Sequence, residues 1–416
     1  MRATTQAQVD TVPTTPAASG ATLALVLATL AFTLCFAVWG LIAPLAPLFR
    51  DLFSLTATQV GLLLAVPVLL GSLARVPLGL LTDRYGGRRV FTLLLLATLA
   101  PVALAGLATS YPALLAVSFL LGLAGASFAV GVGFVAPWFP PARRGFALGI
   151  YGMGTGGSAL AGLLGPRLAA AVSWQGAFWV FLPALVAMAV LCWLLGRDAP
   201  GFAPQRQPVG SRLAVMRRQP LAWVLALFYF VTFGGFVAIS TYLPTLLVGA
   251  YGLERADAGA RAAGFVALAT LARPVGGYLA DRVGGPPLLN GVFAVVAALA
   301  VVLAFEPGML FITIAFLGIA FALGVGSGAV FKLVAEHFPQ ETGTVTGLVG
   351  AAGGLGGFFP PLVMGFVDDL TGSYAIGFML LSEFALICLT INVLILQQRA
   401  GRLLATHNAP PPTSRS

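Results

Sequence analysis

A fifteen-residue segment occurs twice in this chain of 416 residues, and this repeat limits the folds that the chain can adopt. Residues 73–87 read LARVPLGLLTDRYGG and residues 271–285 read LARPVGGYLADRVGG, with nine identical positions and a displacement of 198. A second pair of similar segments lies at residues 128–133 and 321–326, FAVGVG and FALGVG. The chain is therefore predicted to contain two copies of one structural unit.

The composition places both copies in a membrane. Hydrophobic residues make up 59% of the chain and charged residues 8%, and the mean hydropathy is +0.98, values that lie far outside the range of soluble domains. A helix needs about 20 apolar residues to cross roughly 30 Å of hydrocarbon. Twelve such segments are centred near residues 35, 69, 99, 125, 157, 185, 234, 269, 296, 322, 355 and 386. We predict an all-α membrane protein with six transmembrane helices in each copy.

The same patterns set the domain boundaries. The two six-helix halves are predicted at residues 21–196 and 220–398, between tails at residues 1–20 and 399–416. Residues 197–219, rich in Pro, Gly, Gln and Arg, are typical of a linker between them. The first apolar run is too long for the core of a signal peptide, so the sequence favours a retained helix.

The distribution of basic residues predicts the orientation. Of the 22 arginines and lysines, fifteen lie in the tails and on the loops that share their side of the membrane, four lie on the other side, and three lie within spans. The positive-inside rule then places both termini in the cytoplasm and the protein in the cell (inner) membrane. This distribution explains the net charge of +9 without nucleic acid. The cysteines Cys35, Cys192 and Cys388 lie singly in apolar spans, so neither a disulfide nor a metal or cofactor site is expected.

Arg75 and Arg273 are the residues of the repeat that need a functional reason. Each lies eight residues before an Asp-Arg pair, at residues 83–84 and 281–282, and hence about 12 Å along its helix from the cytoplasmic end. A charged side chain at this depth costs about 2.5–3.5 kcal/mol unless it faces protein or water. Parallel halves related by an axis along the membrane normal place equivalent residues opposite each other, so we expect both arginines to line one central cavity.

Two interpretations of the arginine pair remain open from the residues alone. In the first, each arginine pairs with a carboxylate and clamps two helices together, although only Glu383 lies well inside a span. In the second, the counter-charge is a substrate anion. A guanidinium binds planar oxyanions through two parallel hydrogen bonds, so arginine in place of lysine favours a planar oxyanion as the ligand.

Over nearly its whole length the chain resembles the major facilitator superfamily, and within it the nitrate/nitrite porters. Residues 79–89 are similar to the superfamily's loop motif, and residues 277–285 are a degenerate copy. The resemblance implies twelve transmembrane helices in two pseudo-symmetric bundles. It also implies that the motif residues form contacts which hold one conformation of the gate: Gly79, Asp83, Arg84, Gly86, Arg88, Arg89, Asp281 and Arg282.

The narrower resemblance to the porters implies roles for individual residues. Arg75 in span two and Arg273 in span eight match the arginines that clamp the anion, and Tyr229, Phe233 and Phe128 match the aromatic residues around it. Two glycine-rich signatures, at residues 149–157 and 347–360, match segments that let helices pack closely and slide. Their matching glycines are Gly152, Gly154, Gly353, Gly354, Gly356 and Gly357.

Two departures from the porters put the choice of anion in doubt. Thr155 and Ser327 stand where many porters have asparagine. A hydroxyl still donates a hydrogen bond but has a shorter reach, so the balance between nitrate and nitrite is not fixed by the resemblance.

The resemblance predicts that the protein is a transporter and not an enzyme. Its expected partners are nitrate and nitrite anions and the lipid bilayer, and it is expected to be a monomer. Nitrate/nitrite exchange is the expected mode, with proton-coupled nitrate symport and exchange of small organic anions such as oxalate or formate as alternatives. Lys332 and Glu383 are the candidates for proton coupling. Lys332 is alternatively an interfacial residue whose ammonium group reaches the membrane surface.

Overall fold

The computed structural model describes residues 16–200, 202, 219–338 and 342–397. In this part of the chain, twelve helical segments are long and apolar enough to cross a membrane, as the sequence predicts. We number them as spans 1 to 12: Gly20–Phe53, Ala57–Tyr85, Gly87–Ala105, Tyr111–Trp138, Ala147–Ala171, Trp174–Leu195, Pro220–Tyr251, Arg255–Val283, Gly285–Ala304, Met309–Val334, Val345–Thr371 and Ala375–Leu394.

Half of the spans are interrupted helices, which the hydrophobic pattern does not predict. The breaks divide span 1 into Pro16–Gly40 and Ile42–Phe53, span 2 into Ala57–Leu73 and Arg75–Tyr85, and span 4 into Tyr111–Gly125 and Ser127–Val135. They divide span 5 into Pro141–Gly152 and Gly157–Ala171, span 6 into Trp174–Trp179 and Phe181–Leu195, and span 11 into Thr342–Gly356 and Phe359–Thr371. In four of the breaks a proline lies four residues after the last residue of the preceding helix, at Pro44, Pro77, Pro183 and Pro360. Proline has no N–H for that carbonyl, so the helix ends there.

Predictions about the linker and tails are only partly covered by the described residues. The last helix of the first half ends at Leu195 and the first helix of the second half begins at Pro220. Most of residues 197–219 lies outside the described part of the chain, as do residues 1–15 and 398–416. The predicted tails and linker therefore stay predictions.

The halves meet through three pairs of spans, and the repeat relates the pair of spans 2 and 11 to the pair of spans 8 and 5. Span 2 packs against span 11, span 5 against span 8, and span 1 against span 7. Within the halves, span 2 packs against span 4 and span 8 packs against span 10. The central interface is therefore lined by spans 1, 2 and 5 on one side and by spans 7, 8 and 11 on the other.

The interface is closed on the membrane side opposite the termini. A Cβ atom on Gly162 of span 5 would lie 2.7 Å from the carbonyl oxygen of Gly259 of span 8, so these backbones touch. The carboxylate of Asp369 in span 11 accepts hydrogen bonds from the backbone N–H groups of Ala57 and Thr58 at 2.9 and 2.7 Å. An ion pair between Asp51 and Arg255 adds a third contact between the halves.

Four glycines toward the side that carries the termini have free space where a side chain would lie. A Cβ atom on Gly79, Gly149, Gly277 or Gly347 would meet no other atom within 4 Å. These glycines form two pairs related by the displacement of 198. The described contacts that close the interface therefore lie on the side opposite the termini.

Candidate anion-binding site

The guanidinium groups of Arg75 and Arg273 lie against the same aromatic ring in the centre of the interface. The Cζ atoms of Arg75 and Arg273 lie 5.5 and 5.2 Å from the ring centroid of Phe233. Arg75 also lies 5.7 Å from the centroid of Phe128, and Arg273 lies 5.1 Å from that of Phe236. Cation–π contacts of this kind contribute about 0.5–2 kcal/mol each. The arginines of opposite halves are thus brought together around one phenylalanine.

Each arginine is also fixed by a backbone carbonyl of the opposite half. Arg75 donates from Nη1 to the carbonyl oxygen of Gly350 in span 11, and Arg273 donates from Nη1 to that of Gly152, 3.5 Å away, in the glycine-rich segment of span 5. Gly152 and Gly350 are related by the same displacement of 198 as the arginines. The two arginine–carbonyl contacts are therefore related by the same displacement as the repeated segments of the sequence.

Several donors of the two guanidinium groups have no partner within the described residues. Arg75 Nε and both Nε and Nη2 of Arg273 are buried without a hydrogen bond to that part of the protein. Buried N–H groups are nearly always paired, and leaving a charged one unpaired is unfavourable. The arrangement can offer these donors to a small anion with several acceptor oxygens.

Aromatic rings from both halves enclose the arginines. The ring of Tyr229 stacks on Phe233 with a centroid distance of 5.0 Å and an interplanar angle of 2°. Phe331 of span 10 contacts Tyr229 at 4.7 Å and Phe128 at 6.2 Å, and thereby joins the two halves. Tyr229 is 1% exposed, so the wall excludes solvent at this level.

The two hydroxyl residues predicted for the site differ in their bonding. Thr155 donates from Oγ1 to the carbonyl oxygen of Gly152 at 3.0 Å and lies 3.2 Å from Oγ1 of Thr270 in span 8. Ser327 is 2% exposed, and its hydroxyl has no hydrogen-bond partner in the described part of the chain. Ser327 is therefore the hydroxyl that is available as a donor in this state.

The glycines of the two signatures divide into two groups. A Cβ atom would collide with a neighbouring span at Gly154, Gly353, Gly354, Gly356 and Gly357, whereas at Gly152 it would meet nothing within 4 Å. The expectation of tight packing is therefore not met at Gly152, whose carbonyl instead serves as the acceptor described above. At Gly354 the missing side chain leaves room for Ser72 and for Nη1 of Arg75.

Comparison with known proteins gives the family. A sequence profile of the Major Facilitator Superfamily matches residues 28–403. The chain belongs to the major facilitator superfamily. Solved structures of that architecture agree: a bacterial homologue of the human lysosomal transporter Spinster superposes with a TM-score of 0.71 at 19% identity, covering 96% of this chain and all of that chain. The profile match and the structural similarity confirm the predicted all-α fold.

The chain is also similar to transporters of narrower description. It is 43% identical over 379 residues to the probable nitrate/nitrite transporter NarK2 of Mycobacterium tuberculosis, covering 89% of this chain and 95% of the relative. It is 42% identical over 351 residues to a nitrite extrusion protein of Bacillus subtilis, covering 84% and 88%. The probable nitrate transporter NarT of Staphylococcus epidermidis is 37% identical over 366 residues, covering 88% and 94%. These relatives confirm the resemblance to the nitrate/nitrite porters.

The superfamily loop motif makes contacts within its own half in this state. The backbone N–H of Arg88 donates to Oδ1 of Asp198 at 3.1 Å, and its side-chain Nε donates to the carbonyl oxygen of Trp193 at 2.9 Å. Gly86 has a φ of 86°, and Asp198 occupies the space of its absent side chain. Asp83 lies on span 2, while Arg84 and Arg89 are exposed. The described contacts of Gly86 and Arg88 thus lie within the first half, and the gate contacts of the motif stay a prediction.

The two candidates for proton coupling lie away from the arginines. Lys332 forms an ion pair with Asp281 at 3.2 Å and donates to the carbonyl oxygen of Ala280 at 2.7 Å, about 12 Å along span 8 from Arg273. The neighbouring Arg282 stacks over the ring of Tyr278. Glu383 is exposed on span 12, which packs against spans 7, 9 and 11 of its own half.

Four residues at the site are not among those that the sequence singled out: Phe236, Phe331, Tyr151 and Thr270. Tyr151 is fully buried and stacks between Phe32 and Phe128. A signal was available for Thr270, because the displacement of 198 relates it to Ser72, and both hydroxyl residues precede an arginine by three positions. The aromatic residues carry no such signal in a chain with 30 phenylalanines.

Proposed function

We propose that this protein moves nitrate and nitrite across the membrane by alternating access, as an exchanger of the two anions. One observation carries the proposal: two arginines from opposite halves lie against one phenylalanine and keep buried N–H groups that are unpaired within the described residues. Such groups suit a small planar oxyanion. The names of the relatives, nitrate and nitrite transporters, supply the identity of the anion.

Exchange follows from the electrostatics of the empty site. Without an anion, two positive charges face each other in a region of low dielectric constant, and closing the site around them is unfavourable. A bound anion offsets part of this repulsion, so the halves rock past each other with the site occupied. The positions of Lys332 and Glu383 favour other roles: Lys332 ties span 10 to span 8, and Glu383 lies on the surface of span 12.

The orientation completes the proposal. Both termini lie in the cytoplasm, and the protein resides in the cell (inner) membrane as a monomer. The state described above is then closed to the outside, and the loop motif forms its contacts between the halves when the cytoplasmic side closes. The excess of basic residues on the side of the termini supports this orientation.

The test is anion flux in proteoliposomes. Vesicles preloaded with nitrite are placed in external nitrate, and uptake is compared with that of vesicles that contain no anion substrate but have a pH gradient. We expect uptake only into the preloaded vesicles. Arg273→Lys should abolish it, because lysine keeps the charge but loses the planar fork of donors.

Other outcomes identify the alternatives. Uptake driven by the pH gradient alone would show proton-coupled symport. Uptake that fails for nitrate and nitrite but succeeds for oxalate or formate would move the assignment to small organic anions. A matched control is Arg167→Lys, because Arg167 is an exposed residue that bonds to Leu163 of its own helix and should retain wild-type flux.

A further inference from the structure

Trp39 of span 1 is a buried donor that the arginine site does not use. Its side chain is 6% exposed, and its indole Nε1 has no hydrogen-bond partner in the described part of the chain. The indole N–H is a donor only, so it needs an acceptor. A buried N–H without an acceptor is unfavourable, and in native structures such a group calls for an explanation.

Trp39 lines two small cavities in the interface. One cavity contains Arg75, together with Ser72, Gly71, Gly125 and Gly354. The other contains Pro44, Ser158, Gly162 and Thr241. The indole is therefore the wall between a cavity at the arginine site and a second cavity beside the closed contact of Gly162.

The position along the spans places Trp39 on the far side of Arg75 from the termini. Span 1 ends at Phe53, and Trp39 lies roughly 21 Å of helical rise before that end. Span 2 begins at Ala57, and Arg75 lies roughly 27 Å of helical rise after that start. Phe53 and Ala57 lie on the same side of the membrane, opposite the termini. Trp39 therefore lies about 6 Å nearer to that side than Arg75 does.

The indole nitrogen lies beside Gly125, which lines the cavity of Arg75. A Cβ atom on Gly125 would lie 3.3 Å from Nε1 of Trp39, and Gly125 lines that cavity. Arg75 lines the same cavity, and its Nε also has no partner within the described residues. Three glycines, Gly71, Gly125 and Gly354, keep side chains out of the space. Two residues of spans 1 and 2, each with an N–H donor that is unpaired within the described residues, thus line one cavity.

We propose that Trp39 and Arg75 form a second anion subsite, next to the arginine pair on the side opposite the termini. A small planar oxyanion accepts from the indole N–H and from Arg75 Nε on its way to or from the central site. This subsite has one cation where the centre has two, so it holds the anion more weakly and allows it to leave. The inference rests on the proposed function, since it needs an anion that travels this path.

The direct test uses the indole signals of the full chain. The protein contains six tryptophans, and ¹⁵N labelling of tryptophan gives one indole N–H signal for each. The signal of Trp39 is the one that disappears in Trp39→Phe. During a titration with sodium nitrate against sodium gluconate, we expect this signal to shift downfield and to saturate. Trp138 is the matched control, because its indole N–H is also buried and unpaired in the described chain but packs near Gly20, toward the termini.

The flux assay gives the second measurement. With nitrate added on the side opposite the termini, Trp39→Phe should raise the half-saturating concentration about tenfold, the effect of one hydrogen bond to a charged group. Trp138→Phe should leave it unchanged. A Trp39 signal that stays fixed while wild-type protein exchanges nitrate would overturn the subsite and leave the proposed function intact. A wild type that neither binds nor exchanges nitrate would overturn both.

Discussion

Phe233 is the residue on which the geometry of the site depends, because its ring contacts both guanidinium groups. Replacing Phe233 with leucine removes two cation–π contacts of about 0.5–2 kcal/mol each. We expect the half-saturating nitrate concentration in the flux assay to rise at least about fivefold. Phe311→Leu is the control, since that ring is 63% exposed on span 10. Equal half-saturation in both variants would show that the ring takes no part in binding.

Ser327 offers a test that separates binding from stability. Its hydroxyl is buried without a partner in the described residues, and such a group costs about 1–3 kcal/mol when nothing bonds to it. If the hydroxyl donates to the anion, Ser327→Ala should weaken nitrate binding in a calorimetric titration while raising the melting temperature of the anion-free protein. Thr232→Val removes another buried, unpaired hydroxyl and should change the melting temperature alone. Unchanged nitrate affinity in Ser327→Ala would exclude Ser327 from the site.

At the residue scale, charge was predictable from the sequence and aromatic packing was not. Arg75 and Arg273 stand out because a guanidinium group in an apolar span is expensive, and the repeat shows which pair belongs together. Phe331 and Trp39 do not stand out, because apolar residues fill every face of these spans. Which aromatic residue faces the centre depends on helix rotation, and the sequence pattern does not fix that rotation.

At the scale of the helices, the twelve spans follow from hydropathy, but their interruptions and end contacts follow from local chemistry. The break in span 2 lies at Ala74, next to Arg75, where Pro77 leaves the carbonyl of Leu73 without a helical donor. The pattern shows a proline in the span and does not show whether the helix breaks. Span 8 contains Pro274 directly after Arg273 and continues without a break. Packing against neighbouring spans decides between these outcomes.

Span 11 holds the start of span 2 through Asp369, and this contact should help to keep the far side closed. The carboxylate accepts two N–H groups at a helix N-terminus, an arrangement worth about 0.5–2 kcal/mol. Asp369→Ala should therefore shift the protein toward the state that is open opposite the termini. The measurement is the labelling rate of Thr241→Cys by an impermeant maleimide added on that side.

The labelling experiment needs a low background from the native cysteines and a matched control variant. Its three cysteines, Cys35, Cys192 and Cys388, are buried. Asp257→Ala removes a carboxylate on the same side that pairs with Arg261 within one helix and does not join the halves. We expect faster labelling with Asp369→Ala only. Equal rates in the two variants would contradict the role of Asp369.

The contact between Gly162 and Gly259 should be needed for each transport cycle, because it lets spans 5 and 8 meet. A leucine at Gly259 would collide with the backbone of Gly162 and prevent closure on that side. We expect Gly259→Leu to abolish exchange while the protein still folds and inserts. Gly264→Leu changes the same span at a position where no atom lies within 4 Å, and it should retain flux. Similar flux in both variants would contradict the closure model.

At the scale of the whole molecule, one symmetry relates the sequence, the fold and the site. The displacement of 198 relates the arginines, their acceptor glycines Gly152 and Gly350, and the hydroxyl residues Ser72 and Thr270. The aromatic residues break this symmetry, since span 7 supplies Phe233 between the arginines and span 1 supplies Trp39 beside them. The symmetric residues fit an anion in the centre, and the asymmetric ones distinguish the two directions of approach.

The central claim is that one anion is held jointly by Arg75 and Arg273 between the halves, and calorimetric titration of the purified protein with nitrate tests it most directly. The account predicts one nitrate bound per chain, with binding lost in both Arg75→Lys and Arg273→Lys and retained in Arg167→Lys. Loss in both variants requires that each half contributes to the same site. Undiminished binding of nitrate in either lysine variant would contradict the account.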